Sequence, residues 1–509
     1  MSAESTKEPH VVIRVDAGPE IGLGHLLRMR ALAGGFTRRG ATVEAIGRGI
    51  VSEEDASPPW SVTELDGRVE DESEDLSRTT SLIGASPPDL VVVDHYRLGK
   101  AWELGIAERF PEATIVAIDD LPDRTHEVEM LVDPNLGASG PRPASRTSGR
   151  TLIGPAYAPL AAEYREPAEE RPSDGASLHV LIALGGGRSG IVGPLAEAIV
   201  EERRLRHVGF EFVVPDATER AAVTRILEGR SGCTVHGRVP TLRPFLERAD
   251  LVVGAGGTSA WQRLRLGRPS VMVVLADNQL RTAEALRDLD LARWVGQSAD
   301  PRAVTDAVVD ALEDEAFRLT ARAHGPLLVD GRGVDRIVLA LLPSAERPTL
   351  RPLEDGDAAP LLAMANDPTT RAVSRDTRSI RPAEHLAWFG RTREVMGRTS
   401  WVAESEGLVI GQVRFAPLGE GWELHYGLDP AARGRGWSSP VVAEGLRRLA
   451  ATGGTGDVYA IIHPENEASR RSLAALGFVP GDSGGAAAAG VRLPRGFQAY
   501  VRAGEPAPR

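Results

Sequence analysis

Three stretches of this chain carry residues whose types and spacing suit chemistry. The first is Gly22-Leu23-Gly24-His25, which follows the run Val11-Val12-Ile13-Arg14-Val15-Asp16. Such a β-branched run suits a parallel strand covered on both faces. Gly22 and Gly24 permit a tight turn and the close approach of a ligand. The helix expected next would begin with free N–H groups and positive dipole potential, which favour an anion. His25 at that mouth is placed to move a proton beside a bound phosphate. The second is a pair of turns, Gly185-Gly186-Gly187-Arg188-Ser189-Gly190 and Gly254-Ala255-Gly256-Gly257-Thr258-Ser259. Each lies between an expected strand and an expected helix, and two such helix starts can hold a diphosphate without a metal. Ser189, Thr258 and Ser259 add hydroxyl donors. The third is Arg433-Gly434-Arg435-Gly436-Trp437-Ser438. Successive backbone N–H groups at such a turn cradle a pyrophosphate, and the arginines add charge.

The elements that must position these residues follow from the apolar pattern. Strands are expected at 11–15, 41–46, 90–94 and 114–118, the last ending in Asp119-Asp120. The segment 52–80 reads as a loop with a short helix. Ligands bind at the carboxyl edge of a parallel sheet, so polar residues ending these strands are candidate site residues. A Pro/Ser/Gly loop is expected at 137–149 and a linker at 166–176. A second series follows: strands at 179–184, 210–214, 233–236, 250–253 and 270–275, and a short helix at 242–249. Two βαβα series joined by a linker predict an α/β chain with two Rossmann-like domains, 1–165 and 176–342, facing across a cleft. Beyond a second linker at 343–348 the pattern changes. A strand and two helices are expected over 350–396, then antiparallel strands at 399–403, 408–415 and 421–428. A helix at 439–450, a strand–helix unit at 457–478 and a hairpin within 482–509 complete an α+β domain over 349–509.

Composition excludes several classes. A chain of 509 residues exceeds one core and calls for several domains. A net charge of −12 argues against nucleic acid as a general partner. The single cysteine, Cys233, rules out an internal disulfide framework and a cysteine-rich metal site. The Asp119-Asp120 pair has no further ligands spaced with it, so no metal is expected. With no apolar run near the roughly 20 residues needed to span a bilayer and a polar N-terminus, no membrane partner and a cytoplasmic location are expected. Oligomeric state is not legible.

Several motifs together resemble a family. They are Gly22-Leu23-Gly24-His25-x-x-Arg28, Val92-Val93-Asp94-His95-Tyr96, Ile118-Asp119-Asp120-Leu121 with Asp123-Arg124, and Gly154-Pro155-x-Tyr157. Gly256-Gly257-Thr258-Ser259-x-Trp261 and Ala276-Asp277-Asn278-Gln279 complete the set. Over about residues 11–342 they look like the UDP-2,4-diacetamido-2,4,6-trideoxy-β-L-altropyranose hydrolases of pseudaminic acid biosynthesis. The resemblance implies a GT-B fold and metal-independent hydrolysis of a UDP-sugar, with His25 activating water. It matches Tyr96 and Asn278 to further active-site positions. It assigns Gly22, Gly24, Asp94, Gly185, Gly186, Gly187, Ser189, Gly256, Gly257, Thr258, Ser259 and Gln262 to the substrate. Gln262 stands where such enzymes usually bind ribose with a Glu; a neutral amide accepts less strongly than a carboxylate. That departure bears on affinity and on which nucleotide, UDP or CMP, is bound. Asp16, Asp94 and Asp119 are all available to orient the imidazole.

The third stretch resembles the Arg/Gln-x-x-Gly-x-Gly/Ala loop of the GNAT acetyltransferases. Asn466-x-x-Ser469 and Leu476-Gly477-Phe478 match that superfamily's last helix and turn. Asn366-Asp367-Pro368 and Glu384-His385-x-x-Trp388-Phe389 look like its amino-sugar branch. Over about residues 349–505 the resemblance implies acetyl-CoA as donor, contacted by Arg433, Gly434, Arg435, Gly436, Trp437, Ser438 and Asn466. Leu473 stands where many members carry a tyrosine general acid. Glu423 or His425, on the strand before the loop, is the candidate base for the attacking amine. His385 is either a packing residue or a substrate contact. Together the halves imply acetylation of the 4-amino group of a UDP-amino sugar, then release of UDP. The alternatives are a GT-B glycosyltransferase, or a non-catalytic nucleotide-sugar-binding module, fused to the acetyltransferase.

Overall fold

The computed structural model describes residues 8–18, 23–50, 58–67, 71–121, 124–136, 149–169, 178–186, 189–296, 299–342, 344, 346–481 and 493–504. Gly22 and Gly187 lie outside the described residues, as do most of the 137–149 loop, most of the first linker and part of the second. The chain divides into two compact units, Met1–Val338 and Leu339–Arg509.

The first unit holds two parallel sheets. In the first, β1 (His10–Val15), β2 (Thr42–Gly47), β3 (Ser61–Glu64), β4 (Leu90–Asp94), β5 (Thr114–Ile118), β6 (Met130–Asp133) and β7 (Arg150–Ile153) lie in the order β3-β2-β1-β4-β5-β6-β7. Its helices are α1 (Gly24–Arg38), α2 (Glu72–Ile83) and α3 (Lys100–Arg109). All of β4 is buried, as expected for a strand covered on both faces. The segment read as a loop with a short helix holds that helix, the twelve-residue α2, and also β3, which was not expected. Mostly exposed β3 has no apolar alternation; pairing with β2, not burial, makes it a strand. The second sheet comprises β8 (His179–Ala183), β9 (Gly209–Val213), β10 (Cys233–His236), β11 (Leu251–Ala255), β12 (Ser270–Val273) and β13 (Ala292–Trp294), in the order β10-β9-β8-β11-β12-β13. Its helices are α4 (Val192–Glu201), α5 (Ala217–Ile226), α6 (Arg243–Arg248), α7 (Ser259–Arg265), α8 (Leu280–Asp288), α9 (Pro301–Glu313), α10 (Glu315–Leu328) and α11 (Gly333–Leu341).

Strand order reverses between β1 and β4 in one sheet and between β8 and β11 in the other. Such switch points open a crevice at the strands' carboxyl ends. The turn before His25 and the stretch Asp94-His95-Tyr96 leave the first; the two glycine-rich turns leave the second.

The second unit is a mixed sheet. It runs through β14 (Thr349–Pro352), α12 (Ala358–Asn366), α13 (Pro368–Ala372), α14 (Pro382–Met396), β15 (Ser400–Ser405), β16 (Leu408–Leu418) and β17 (Gly421–Leu428). It continues with α15 (Ser438–Ala451), β18 (Val458–Ile462), α16 (Glu467–Ala474), β19 (Val479–Pro480) and β20 (Gln498–Arg502), in strand order β14-β15-β16-β17-β18-β20-β19. Three α-helices, not two, follow β14, because Asp367-Pro368 starts a new one: the Asp367 side chain accepts from the Thr370 N–H. Much of the segment expected to form a terminal hairpin, 482–492 and 505–509, lies outside the described residues; within the rest, β20 pairs antiparallel with both β18 and β19. The chain thus carries two Rossmann-like domains followed by an α+β domain. Among the described residues no helix is long and apolar enough to cross a membrane.

Candidate functional site

His25 and Arg28 lie three residues apart on α1, so they share a face, and both meet Asp94 at the end of β4. The His25 Nδ1 lies 2.6 Å from Asp94 Oδ1. Arg28 clasps the same carboxylate through Nε and Nη2, each at 2.6 Å, and reaches Asp120 Oδ2 at 3.0 Å. Burial alone would push the Asp94 carboxyl up. Arg28 and His25 beside it instead hold it well below the usual carboxylate range. Asp94 is therefore ionised and accepts from His25 when Nδ1 carries the proton, which leaves Nε2 as the acceptor; Arg28 Nη2 also lies 3.1 Å from Nδ1. The other two carboxylates are committed elsewhere. Asp16 pairs with Arg14, Arg48 and His95, and Asp119 with Arg124 and His126. Asp94 was expected among the substrate contacts; only 1% exposed, it spends both oxygens on His25 and Arg28.

Tyr96 closes the other side of the imidazole, edge to face at 4.6 Å between ring centroids. Its hydroxyl donates to Asp120 Oδ1 at 2.8 Å and accepts from Asn278 Nδ2 at 3.0 Å. Burial and the Asp120 charge raise its pKa well above the ordinary phenol value, so the proton stays. Asn278 follows β12 of the second sheet, so the two sheets' loops meet at this histidine. Two glycines show how closely: a Cβ on Gly24 would lie 3.2 Å from Thr258 Oγ1, and one on Gly186 would lie 3.1 Å from the Leu23 side chain.

The two glycine-rich turns are not equivalent. The Gly190 and Ser189 N–H groups donate to the Glu219 carboxylate, at 2.6 and 3.3 Å, and the Ser189 hydroxyl accepts from Ile191. The Glu219 carboxylate thus lies on the Ser189 and Gly190 N–H groups of the turn read as a diphosphate cradle. Gly185, at φ +114°, has open space beside it. In the second turn Gln279 accepts from the Gly256 N–H at 3.1 Å, while Gly257 faces open space. The Gln262 side-chain oxygen is buried with no hydrogen-bond partner.

In the second unit, β17 and β18 pair only at Trp422–Val458 and Glu423–Tyr459, although β17 runs on to Leu428 and β18 to Ile462. Beyond that point their facing backbone groups form no ladder with each other, opening a slot in the sheet. The 433–438 loop follows, with Gly434 and Gly436 at φ +78° and +73°, where side chains are strained. Its arginines, expected to hold a pyrophosphate, instead tether the loop. Arg433 pairs with Asp367 and donates to Thr369, Thr370 and Leu428; Arg435 donates to the Leu339 and Leu342 carbonyls and lies over the Trp437 ring. Asn466 caps α16 by accepting from the Ser469 N–H.

Glu423 and His425 share one face of β17, with the Glu423 carboxylate 3.5 Å from His425 Nε2. Burial opposes charge on Glu423, but His425 and Arg375 hold its pKa at about 2. His425 is pushed below its ordinary value by burial, with Arg414 and Arg375 adding repulsion, and stays neutral at pH 7. Arg414, its cross-strand neighbour, lies 5.1 Å over Trp388. His385 is a packing residue: it is buried and its Nε2 donates to the Ala358 carbonyl at 2.8 Å. Leu473 is fully buried in the core and offers no proton. Arg375 and Arg414 escaped the sequence reading because no motif marks them, whereas Trp388 lies in the Glu384-His385-x-x-Trp388-Phe389 motif. Among the described residues no group of three His, Cys, Asp or Glu side chains is placed to hold a metal ion.

Comparison with known proteins agrees with this division. Residues 347–479 match the acetyltransferase (GNAT) domain model. Over 343 residues, 65% of this chain and 97% of the relative, the chain is 23% identical to the spore coat polysaccharide biosynthesis protein SpsG of Bacillus subtilis (strain 168). Similar solved structures include the glycotransferase of kitacinnamycin (18% identity, TM-score 0.48, 66% of this chain and 100% of that one) and S. aureus MnaA with UDP (13%, 0.48, 65% and 96%). Another is yncA of Salmonella typhimurium with acetyl-CoA (21%, 0.26, 31% and 93%). Residues 347–479 thus resemble a GNAT acetyltransferase domain, and the two Rossmann-like domains before them are similar to SpsG.

Proposed function

We propose that the protein performs two reactions on one nucleotide-activated amino sugar, as in pseudaminic-acid-type biosynthesis. The second unit transfers acetyl from acetyl-CoA to the sugar's 4-amino group; the first hydrolyses the sugar–diphosphate bond, giving free 2,4-diacetamido sugar and UDP. The observation that carries the hydrolase reading is the His25–Asp94 pair, with no hydrogen-bond partner for Nε2 among the described residues, at the meeting point of loops from two parallel sheets. His25 takes a proton from water as its oxygen attacks, and the diphosphate departs with the bonding pair. Asp94 stabilises the imidazolium that forms, and Arg28 keeps Asp94 ionised for it. Tyr96 and Asn278 position the sugar.

In the second unit neutral His425 accepts the amine proton as nitrogen attacks the thioester carbonyl, and Glu423 orients the amine. The sulfur leaves as thiolate and is protonated by water. Gly434, Gly436 and Ser438 hold the donor's pyrophosphate; Trp437 packs beside it. Incubation with acetyl-CoA and a UDP-4-amino sugar should give, by mass spectrometry, free diacetamido sugar and UDP, whereas His25→Ala should stop at the acetylated nucleotide sugar. UDP release at the wild-type rate from that variant would remove His25 from the mechanism. A second reading, glycosyl transfer, is favoured by the polysaccharide-biosynthesis name of the Bacillus relative. Nucleotide release that depends on an added sugar acceptor would select it.

A further inference from the structure

Arg263, on α7, is 2% exposed, yet no carboxylate pairs with it among the described residues. The other arginines of this unit that are 4% exposed or less have acids: Arg14 has Asp16 and Asp75, Arg28 has Asp94 and Asp120, and Arg336 has Asp330; Arg265 and Arg268, 8% and 5% exposed, donate to backbone carbonyls. Arg263 has only neutral acceptors. Its Nη2 donates to the Ala255 carbonyl at 2.8 Å, its Nη1 to Ser259 Oγ at 3.1 Å, and its Nε has no partner. The guanidinium lies directly under the second glycine-rich turn; a Cβ on Gly254 would come within 2.4 Å of Nη1. Burial lowers its pKa to about 10, so it remains a cation at neutral pH. An isolated buried charge is expensive unless a counter-charge answers it.

We infer that Arg263 is a positioning residue for the leaving diphosphate: its charge is answered only when a nucleoside diphosphate lies on the 254–259 turn, and it acts through Ser259. Because Ser259 Oγ accepts from Arg263, its own O–H is free to donate outward to a phosphate oxygen. Charge on the donor side strengthens that hydrogen bond. The helix dipole contributes little to the case, since α7 has only seven residues. The turn also explains where the effect falls: Thr258 lies against Gly24, beside His25. The cation therefore sits on the side of the cleft where negative charge grows as the sugar–oxygen bond breaks. This inference rests on the reading of the first unit as a nucleotide-sugar site.

The test compares UDP with uridine on the full chain by calorimetry. Arg263→Met keeps the volume and removes the charge. It should weaken UDP binding about tenfold or more while leaving uridine affinity unchanged, as expected for loss of a charge-assisted contact. Without nucleotide it should melt no lower than wild type, because an uncompensated buried charge is removed; a merely structural arginine predicts the reverse. Arg263→Lys should retain part of the UDP preference. Ser259→Ala should lose a comparable factor, and the double variant should lose no more than either single one. If Arg263→Met does not fold, Ser259→Ala carries the test, and an unchanged UDP-to-uridine ratio in it overturns the relay. A folded Arg263→Met that binds UDP as wild type does overturns the inference alone. Wild-type protein that binds neither UDP nor uridine overturns the nucleotide-sugar reading beneath it as well.

Discussion

The two histidine–carboxylate pairs proposed to do chemistry are of opposite construction. His25 and Asp94 touch at 2.6 Å, both almost fully buried, with Arg28 clasping the carboxylate from behind. His425 and Glu423 stand 3.5 Å apart, and the nearest cation on Glu423 is Arg375, whose side chain is 44% exposed and comes from the irregular segment between α13 and α14. The first pair is set before substrate arrives: Asp94 holds the ring at Nδ1 and Tyr96 packs against it edge to face. The second is held open by a cation that an incoming ammonium can displace. The difference matches the two tasks proposed. Activating water demands a base aimed in advance, whereas an amine substrate brings its own charge and can compete for Glu423.

The largest expected effect tests the rigid pair. His25→Asn removes the proton acceptor and should lower UDP release by about 10²–10⁴-fold, with acetyl transfer unchanged. Asp94→Asn keeps the shape but lets Nδ1 lose its anionic partner. It should cost a smaller but still large factor, about 10²-fold, through tautomer and imidazolium stability. Both are read by quantifying UDP and acetylated product in one assay. Equal loss of both products would show that the variants merely misfold and would dissolve the contrast between the pairs.

His126 serves as the control for that contrast. Both its ring nitrogens face carboxylates, Glu103 at 2.6 Å and Asp119 at 2.7 Å, so neither is available to a substrate. Burial opposes its charge, but Asp119 and Glu103 raise its pKa to about 9. A folded-state pKa above the unfolded value near 6.5 stabilises the fold fully below that value. The contribution is lost as pH rises through 9. Denaturant midpoints should therefore fall between pH 7 and 9.5 by the equivalent of about 2–3 kcal/mol. In His126→Asn that slope should flatten, with UDP release from the surviving folded protein near wild type at pH 7. Strong loss of turnover in folded protein would mean that a free nitrogen is not what separates a working histidine from a structural one.

The sequence made the strands and the histidine legible, but not the partnerships. The run 11–15, the 90–94 run and the glycines before His25 are local signals, and the switch-point argument places them together. Which of three aspartates orients His25 depends on residues 69 apart meeting in space, and no local pattern carries that. Three other features were invisible for the same reason. Glu219 fills the first glycine-rich turn from α5, Arg433 and Arg435 are spent on tethering, and Arg263 lies beneath the second turn. In sequence each reads as a surface charge on a helix or an anion-ready loop. Edge strand β3 was missed because its residues are polar and its pairing alone makes it a strand.

The smallest expected effect probes the loose pair. Arg375→Met removes a cation close to both Glu423 and His425. With that positive charge gone, protonated His425 becomes less unfavourable, so its pKa rises toward the ordinary value. The Glu423 carboxyl also rises from about 2, yet stays ionised at neutral pH. The acid limb of kcat/KM for acetyl transfer should then move upward by about half a pH unit to one unit. Because Glu423 is freed for the amine, kcat at pH 8 should change by less than about threefold. Asp94, by contrast, is fixed by a buried bidentate arginine, so no single exposed residue should shift the pH profile of UDP release. If Arg375→Met leaves the acetylation profile in place, Arg375 does not tune this pair, and the second site is as preset as the first.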